Sequence, residues 1–187
     1  MKEKLLFACV LFFAHATLSK GVVKNAPVLF KPLDIRKFVG ANEPIWTWNT
    51  TASESVLCKV DDKKSLTHGS VFFRRKYYSY KILKPVVKDY EGIFSPQQQN
   101  VMRLRKSGYK STMFVAKEAL LYWSAKYRCA VLKVTPSLRG HLPFYDLRVW
   151  NSAVEHSPHE KCIRHFEKLG KRGRVIYDRR CQGILTA

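Results

Sequence analysis

The sequence predicts a mainly β fold, either an up-and-down antiparallel barrel or a β-sandwich. Segments rich in β-branched and aromatic residues recur along the chain, and turn signals such as Asp61-Asp62, Lys106-Ser107-Gly108 and Arg139-Gly140 separate them. One convincing helix late in the chain is typical of an up-and-down barrel that carries a helix on its outside. The pattern alone leaves both architectures open, and it predicts a single domain over residues 17–187.

A hydrophobic leader precedes this domain. Lys2 and Lys4 give it a positive start, residues 5–14 are almost wholly apolar, and Ala14-His15-Ala16 offers a cleavage pattern of small residues. We therefore expect residues 1–16 to be a signal peptide and the product to be secreted and extracellular. Neither this apolar run nor any later one has the length of a membrane span.

The elements of the domain follow from the spacing of apolar residues. A short helix is predicted around residues 32–39, with a proline near its first turn. The late helix is predicted over residues 157–169, because Ser157 can cap it, Pro158 can open it and Glu160 completes a capping box. The strand candidates are residues 45–51, 56–60, 70–82, 92–105, 111–123, 127–135, 144–151 and 175–178.

The cysteines indicate the compartment and a covalent framework. Cys9 lies in the leader, which leaves Cys58, Cys129, Cys162 and Cys181 in the domain. An even set behind a secretion signal predicts two disulfides in an oxidising compartment. The sequence alone allows three pairings.

The charge is strongly positive, with 34 Lys and Arg against 14 Asp and Glu and a net charge of +20. Such a charge favours anionic partners. Because a secreted disulfide protein rarely meets nucleic acid, the remaining candidates are glycosaminoglycans, membranes and anionic small molecules. The candidate patch is either a heparin-like polyanion site or a solvated surface near a helix end; its residues are Lys171, Arg172, Arg174, Arg179 and Arg180.

The motifs do not predict an enzyme. The chain has no Gly-x-Ser-x-Gly elbow and no phosphate-binding loop, and few acidic residues lie along the strands. His156, His159 and His165 lie near Cys162, but their spacing fits no usual zinc motif. We expect a monomeric binding protein without a metal or a cofactor, and Asn49-Thr50-Thr51 offers a glycosylation acceptor.

The segments around the cysteines resemble a known family. Residues 45–51 (IWTWNTT) lead to Cys58, residues 127–134 (YRCAVLKV) precede residues 145–151 (YDLRVWN), and Cys162 and Cys181 follow, with Phe166 and Tyr177 nearby. In this order they closely resemble the tick salivary lipocalins, the histamine-binding protein family, over about residues 45–185. The resemblance implies an eight-stranded lipocalin barrel with an outer C-terminal helix and disulfides Cys58–Cys181 and Cys129–Cys162.

The resemblance also implies a ligand class. Members of this family sequester small inflammatory mediators of the host in the barrel, chiefly histamine and serotonin, and some take lipid mediators. A cationic amine needs buried carboxylates and aromatic walls. Where amine-binding members have a Cys-Asp pair and a Glu-Leu-Trp/Tyr triplet, this chain has Cys129-Ala130 and Asp146-Leu147-Arg148. Asp146 therefore keeps one carboxylate of the pattern, Ala130 lacks the other, and Arg148 places a cation where those members have an aromatic residue.

Three hypotheses follow for the ligand. Alternation along the strand places Asp146, Arg148 and Trp150 on one face, which faces inward if the resemblance holds. The Asp–Arg couple then forms an internal salt bridge or leaves Arg148 free for a ligand carboxylate. An amine would use Asp146 and Glu118, with walls from Trp46, Phe114 and Trp150. An anionic lipid, such as a leukotriene or fatty acid, would use Arg148 and Arg74. The third hypothesis is a polyanion-binding surface protein.

Overall fold

The computed structural model describes residues 32–80, 82–108, 113–169 and 172–186. The predicted signal peptide, residues 1–16, lies outside the described residues. The helices are α1 (Ile35–Val39) and α2 (Glu160–Glu167), and the strands are β1 (Ile45–Thr50), β2 (Val56–Leu66), β3 (Ser70–Ser79), β4 (Ile82–Phe94), β5 (Val101–Lys106), β6 (Ala116–Ser124), β7 (Cys129–Pro136), β8 (Phe144–Trp150) and β9 (Arg174–Val175). Two short 3-10 helices cover Asn151–Ala153 and Arg179–Leu185.

Strands β1 to β8 form an antiparallel up-and-down barrel. Each strand pairs with the next along the chain, and β8 returns to pair with β1. The first half of β1 also pairs with β2, whereas Asn49 and Thr50 pair with β9. This topology confirms the eight-stranded barrel and excludes the β-sandwich that the pattern left open.

Helix α1 closes one end of the barrel. The Asp34 side chain caps it by accepting a hydrogen bond from the Arg36 backbone N–H at 3.0 Å. Phe38 is fully buried, and its ring lies 5.2 Å from that of Trp123 and 6.3 Å from that of Trp150, centroid to centroid. The Trp150 indole N–H also donates to the Phe38 carbonyl. Helix α1 is therefore part of the inner core.

A second core lies on the outside of the barrel, over β1, β2, β7 and β8. Outward side chains of these strands pack against Phe166 of α2 and against Tyr177 and Ile184 near the C-terminal end. Both disulfides belong to this core, and they are Cys58–Cys181 and Cys129–Cys162, which confirms the predicted pairings. The strands on this side of the barrel are therefore covered on both faces.

Some element bounds differ from the prediction. The predicted strand 92–105 is two strands, because β4 ends at Phe94 and a turn intervenes in which Ser95 Oγ accepts from the Gln98 N–H. The predicted strand 70–82 runs across the β3–β4 turn. Helix α2 begins at Glu160 rather than near Ser157, because His159 Nδ1 caps it by accepting from the Lys161 N–H at 3.2 Å. Within the described ranges, no helix is both long and apolar enough to traverse a bilayer.

Candidate functional site

The inner face of the barrel carries six ionisable side chains that contact one another. Three are carboxylates and three are cations, so their charges balance. They come from β2, β3, β6 and β8, and we call them the interior network: Lys59, Asp61, Arg75, Glu118, Asp146 and Arg148.

Arg148 is the centre of this network. Its Nη1 and Nη2 atoms donate to the two carboxylate oxygens of Glu118 at 2.6 and 2.8 Å, and Nη2 also donates to Asp146 Oδ2 at 2.9 Å. Nε donates to the same Asp146 oxygen at 3.3 Å. Arg148 is 1% exposed, and Glu118 and Asp146 are fully buried. All three guanidinium nitrogens therefore donate to internal carboxylates. Of the two predicted alternatives, an internal salt bridge or an arginine free for a ligand, the Asp146–Arg148 couple is the salt bridge.

Arg75, on β3, completes the network. Its Nε and Nη2 atoms hold both oxygens of Asp61 at 2.6 and 2.7 Å, and Nη2 reaches Glu118 Oε1 at 3.2 Å. Its guanidinium carbon lies 5.3 Å from the centre of the Phe73 ring and 5.4 Å from that of Tyr90. The aromatic faces stabilise the cation where water is largely excluded. Glu118 is therefore shared by two guanidinium groups.

Asp146 is held differently, because an ammonium group is among its partners. Thr50 Oγ1 donates to Asp146 Oδ1 at 2.7 Å, and Lys59 Nζ donates to Oδ2 at 3.1 Å. Lys59 Nζ also lies 5.7 Å from the centre of the Phe144 ring. A fully buried carboxylate beside an aromatic ring thus holds a primary ammonium at this point.

Burial and charge pairing act in opposite directions on these groups. Burial by itself would raise the pKa of Glu118, but Arg148 and Arg75 outweigh it and lower that pKa to about 2. Asp146 likewise has a lowered pKa, because Lys59 and Arg148 outweigh its burial. For Lys59, burial prevails over the attraction of Asp146 and lowers its pKa. Glu118 and Asp146 are therefore ionised at neutral pH, whereas Lys59 is the one of these three groups for which burial outweighs charge pairing.

The space around the network differs on its two sides. Toward α1 lies a cavity of about 20 Å³, lined by side chains that include Phe38, Met102 and Arg148. That volume accommodates about one water molecule. On the other side, Phe144 lines a surface depression of about 430 Å³ between residues 51–54 and residues 136–144. A ligand of amine size therefore does not fit on the α1 side without movement of a side chain.

Four of the seven predicted ligand-binding residues have buried or partly buried side chains inside the barrel. Glu118, Asp146 and Arg148 belong to the interior network, and Trp150 packs at the α1 end. The inward face predicted for Asp146, Arg148 and Trp150 is the one observed. The ligand-binding role of these residues stays a prediction.

The other three predicted residues do not line the interior, which corrects that expectation. Trp46 faces the outer core, where its ring lies 5.0 Å from Tyr177 and its indole N–H donates to Asn151 Oδ1. Arg74 is exposed and pairs with Asp89 at 2.8 Å. Phe114 is half-buried just before β6, with its ring centre 5.4 Å from the guanidinium carbon of the exposed Arg103.

Sequence analysis missed three members of the network: Lys59, Asp61 and Arg75. A β-bulge helps to place Lys59, because Cys58 and Lys59 lie together opposite Tyr77 between the pairs Leu57–Tyr78 and Val60–Lys76. Cys58 has φ +54° and faces the outer core, while Lys59 faces inward. The available signal was the alternation of Lys59 and Asp61 with apolar Val60. This pattern would ordinarily indicate a solvent-facing side.

The surface sites predicted from sequence are only partly accessible. Asn49 Oδ1 is buried without a hydrogen-bond partner among the described residues. Arg172, Arg179 and Arg180 are exposed, but Arg180 pairs with Asp178 at 2.8 Å. Arg174 is half-buried and donates to the Glu54 carbonyl, and Lys171 lies outside the described residues. Glycosylation of Asn49 and polyanion binding stay predictions.

The histidines near Cys162 take part in packing. The His165 ring stacks on Tyr122 at 3.7 Å between centroids, and the His159 ring stacks on Tyr127 at 3.6 Å. In the part of the chain that the structure describes, no group of three or more His, Cys, Asp or Glu side chains is arranged to hold a metal ion.

The barrel, its outer helix and the two disulfides define a lipocalin-like fold. No family model and no curated protein matches the sequence. Thirty-seven chains of solved structures match it. One is a crystal structure of AM182 in complex with serotonin, with a TM-score of 0.58, 16% sequence identity, and coverage of 81% of this chain and 94% of that one. At this identity, the similarity shows the fold.

Proposed function

We propose that this protein is a secreted lipocalin, akin to the tick salivary histamine-binding proteins, whose barrel sequesters a small cationic amine such as serotonin or histamine. One observation carries the proposal: fully buried Asp146 holds a primary ammonium, that of Lys59, beside the Phe144 ring. A buried ammonium needs a carboxylate to replace its hydration, and an aromatic face adds to the attraction. Asp146 is thus equipped for the amino group of a biogenic amine.

Two further observations support the proposal. The lipocalin-like fold neighbour AM182 was crystallised with serotonin, although its low identity limits the likeness to the fold. The two disulfides agree with an oxidising compartment, in which such a protein would meet the inflammatory mediators of a host. Countering host defence by removing those mediators is the role we propose for it.

The amine is favoured over an anionic lipid because of the state of Arg148. A ligand carboxylate could bind Arg148 only after displacing Glu118 or Asp146, and a displaced carboxylate would remain buried without its partner. Arg74, the other cation considered for a lipid, lies on the outside of the barrel.

Calorimetry with serotonin, histamine and leukotriene B4 tests the proposal. We expect an amine to bind, and we expect Asp146→Asn to weaken its affinity at least about tenfold, because the amide lacks the charge that holds the ammonium. Asp89→Asn is the matched control, since Asp89 is exposed and pairs with Arg74. Amine binding that survives Asp146→Asn in a folded protein, or binding of the leukotriene alone, would contradict the proposal.

A further inference from the structure

Lys59 occupies the position in which the proposed function places the ligand. Its Nζ lies 3.1 Å from Asp146 Oδ2, and Asp146 is fully buried. The α1-side cavity of about 20 Å³ cannot hold an amine of serotonin size. For a ligand ammonium to reach Asp146 Oδ2, the Lys59 ammonium must leave it.

Lys59 is the member of the network that is best placed to leave. Arg75 and Arg148 are planar forks that hold two and three carboxylates respectively, whereas the Lys59 ammonium contacts one, Asp146. The Lys59 side chain is 13% exposed, against 2% for that of Arg148. Its ammonium also lies over Phe144, which lines the surface depression. The lysine side chain is flexible, so its ammonium can move toward this depression without a change in the backbone of the barrel strands.

The backbone at Lys59 is fixed. Cys58 forms the disulfide with Cys181, and its backbone N–H donates to the Ile176 carbonyl at 2.8 Å. The bulge that places Lys59 inward is therefore anchored from the outer core. Exchange at Asp146 is confined to the side chain of Lys59.

Resting on the proposed function, we propose that Lys59 is a tethered competitor for the amine site: its ammonium sits on Asp146 in the free protein, and a ligand ammonium displaces it. The exchange conserves charge inside the barrel, since one ammonium replaces another and Asp146 never loses its partner. A neutral or anionic ligand cannot make this exchange, because Asp146 would be left with one cation fewer. Lys59 thereby restricts the site to cations and lowers the affinity for them.

The variant Lys59→Met tests the competitor directly. Methionine keeps much of the apolar stem and removes the ammonium, so we expect serotonin to bind at least about tenfold more tightly than to the unaltered protein. Lys88→Met is the matched control. Lys88 is exposed, and its Nζ lies over the Tyr77 ring at 5.6 Å. We expect this control to change the affinity less than about twofold.

A second measurement uses the unaltered protein. In NMR spectra of protein labelled with ¹⁵N at lysine Nζ, the Lys59 signal is assigned by its absence in Lys59→Met. On saturation with serotonin, we expect this signal to shift and its hydrogens to exchange rapidly with water, since the ammonium moves into solvent. The Lys88 signal provides the internal comparison.

The outcomes separate this inference from the proposed function. If the unaltered protein binds an amine but Lys59→Met binds it equally or more weakly, or the Lys59 signal does not move, the competitor is refuted and the amine site stands. Amine binding by Lys59→Met alone would show that Lys59 blocks the site, but it would overturn the proposed function and the displacement of Lys59 by a ligand. If neither protein binds an amine, both proposals fail. Should Lys59→Met not fold, Lys59→Arg, which keeps the positive charge, supplies the assignment, and the Lys59 signal of the unaltered protein decides.

Discussion

Arg74 and Arg75 are neighbours in the sequence but lie on opposite sides of the barrel wall. Arg75 is largely buried and neutralises Asp61 and Glu118, whereas the Arg74–Asp89 pair is more than 40% exposed on both sides. Removing one partner of a buried pair leaves an uncompensated charge, while exposed pairs contribute little. We therefore predict that Arg75→Met lowers the free energy of unfolding by about 3–5 kcal/mol. We expect Arg74→Met to lower it far less, because the exposed pair is screened by water.

Urea denaturation of the two variants beside the unaltered protein measures this difference. The substitution and the strand are the same in both, so β-propensity and side-chain size are matched. Equal losses of stability would show that the interior network does not hold the barrel together in solution.

The inward faces of these residues could be predicted only in part. In β3, residues 72–78 read FFRRKYY, so aromatic and basic residues occur on both faces and either phase fits the alternation. Strand alternation predicts that Asp146, Arg148 and Trp150 share one face, as observed. That this face points inward is predicted only by the family resemblance. In β2, polar Lys59 and Asp61 alternate with outward Val60. Ordinarily the polar residues of such a strand face solvent and the apolar ones face the interior. Here the orientation is reversed, because the outer core covers Val60 and the charged side chains neutralise one another inside the barrel.

At the scale of elements, β4 is the strand whose first half the sequence pattern does not predict. Its first half contains Pro85 and two lysines, Lys84 and Lys88, which argue against a strand. The structure tolerates them because β5 pairs with Tyr90–Phe94, so among the described residues Pro85 pairs with β3 alone, at Tyr78. The proline therefore lies where its missing N–H is not required by β5. The disulfides and the late helix, by contrast, followed from local signals and from the resemblance.

Helix α2 depends on its disulfide to the wall. It has eight residues, too few for stability in isolation, and it buries chiefly Cys162 and Phe166. We predict that the double variant Cys129→Ala/Cys162→Ala keeps the barrel but loosens α2, because closing this loop of 33 residues contributes roughly 4 kcal/mol. Hydrogen exchange read by mass spectrometry should show faster exchange in residues 160–167.

The inner strands supply the comparison for this variant. Protection of β6, and of β7 away from the substituted Cys129, should be retained, since Cys129 takes part only in the end pair of their ladder, with Ser124. Uniformly faster exchange across the barrel would mean that the bond stabilises the whole fold and not the docking of α2.

At the scale of the whole molecule, the charge of the interior and that of the chain differ in character. The six network side chains cancel one another, so the net charge of +20 must come from residues outside the network. Charge of one sign on a surface attracts polyanions over a distance set by salt. A polyanion could bind specifically to the candidate basic patch, or it could be attracted by the positive charge of the whole surface.

Substitution of four patch residues by Gln distinguishes these cases: Lys171, Arg172, Arg179 and Arg180. The matched control replaces four exposed cations elsewhere by Gln: Lys84, Arg103, Lys117 and Lys126. Both variants lose the same net charge, so any difference in elution from heparin reflects position. If the patch is a site, we expect retention at about 0.5 M salt to fall markedly for the patch variant and little for the control, because localised contacts are lost together. Equal falls would mean that net charge alone attracts the polyanion, and unchanged retention of the patch variant would remove the patch as a binding site.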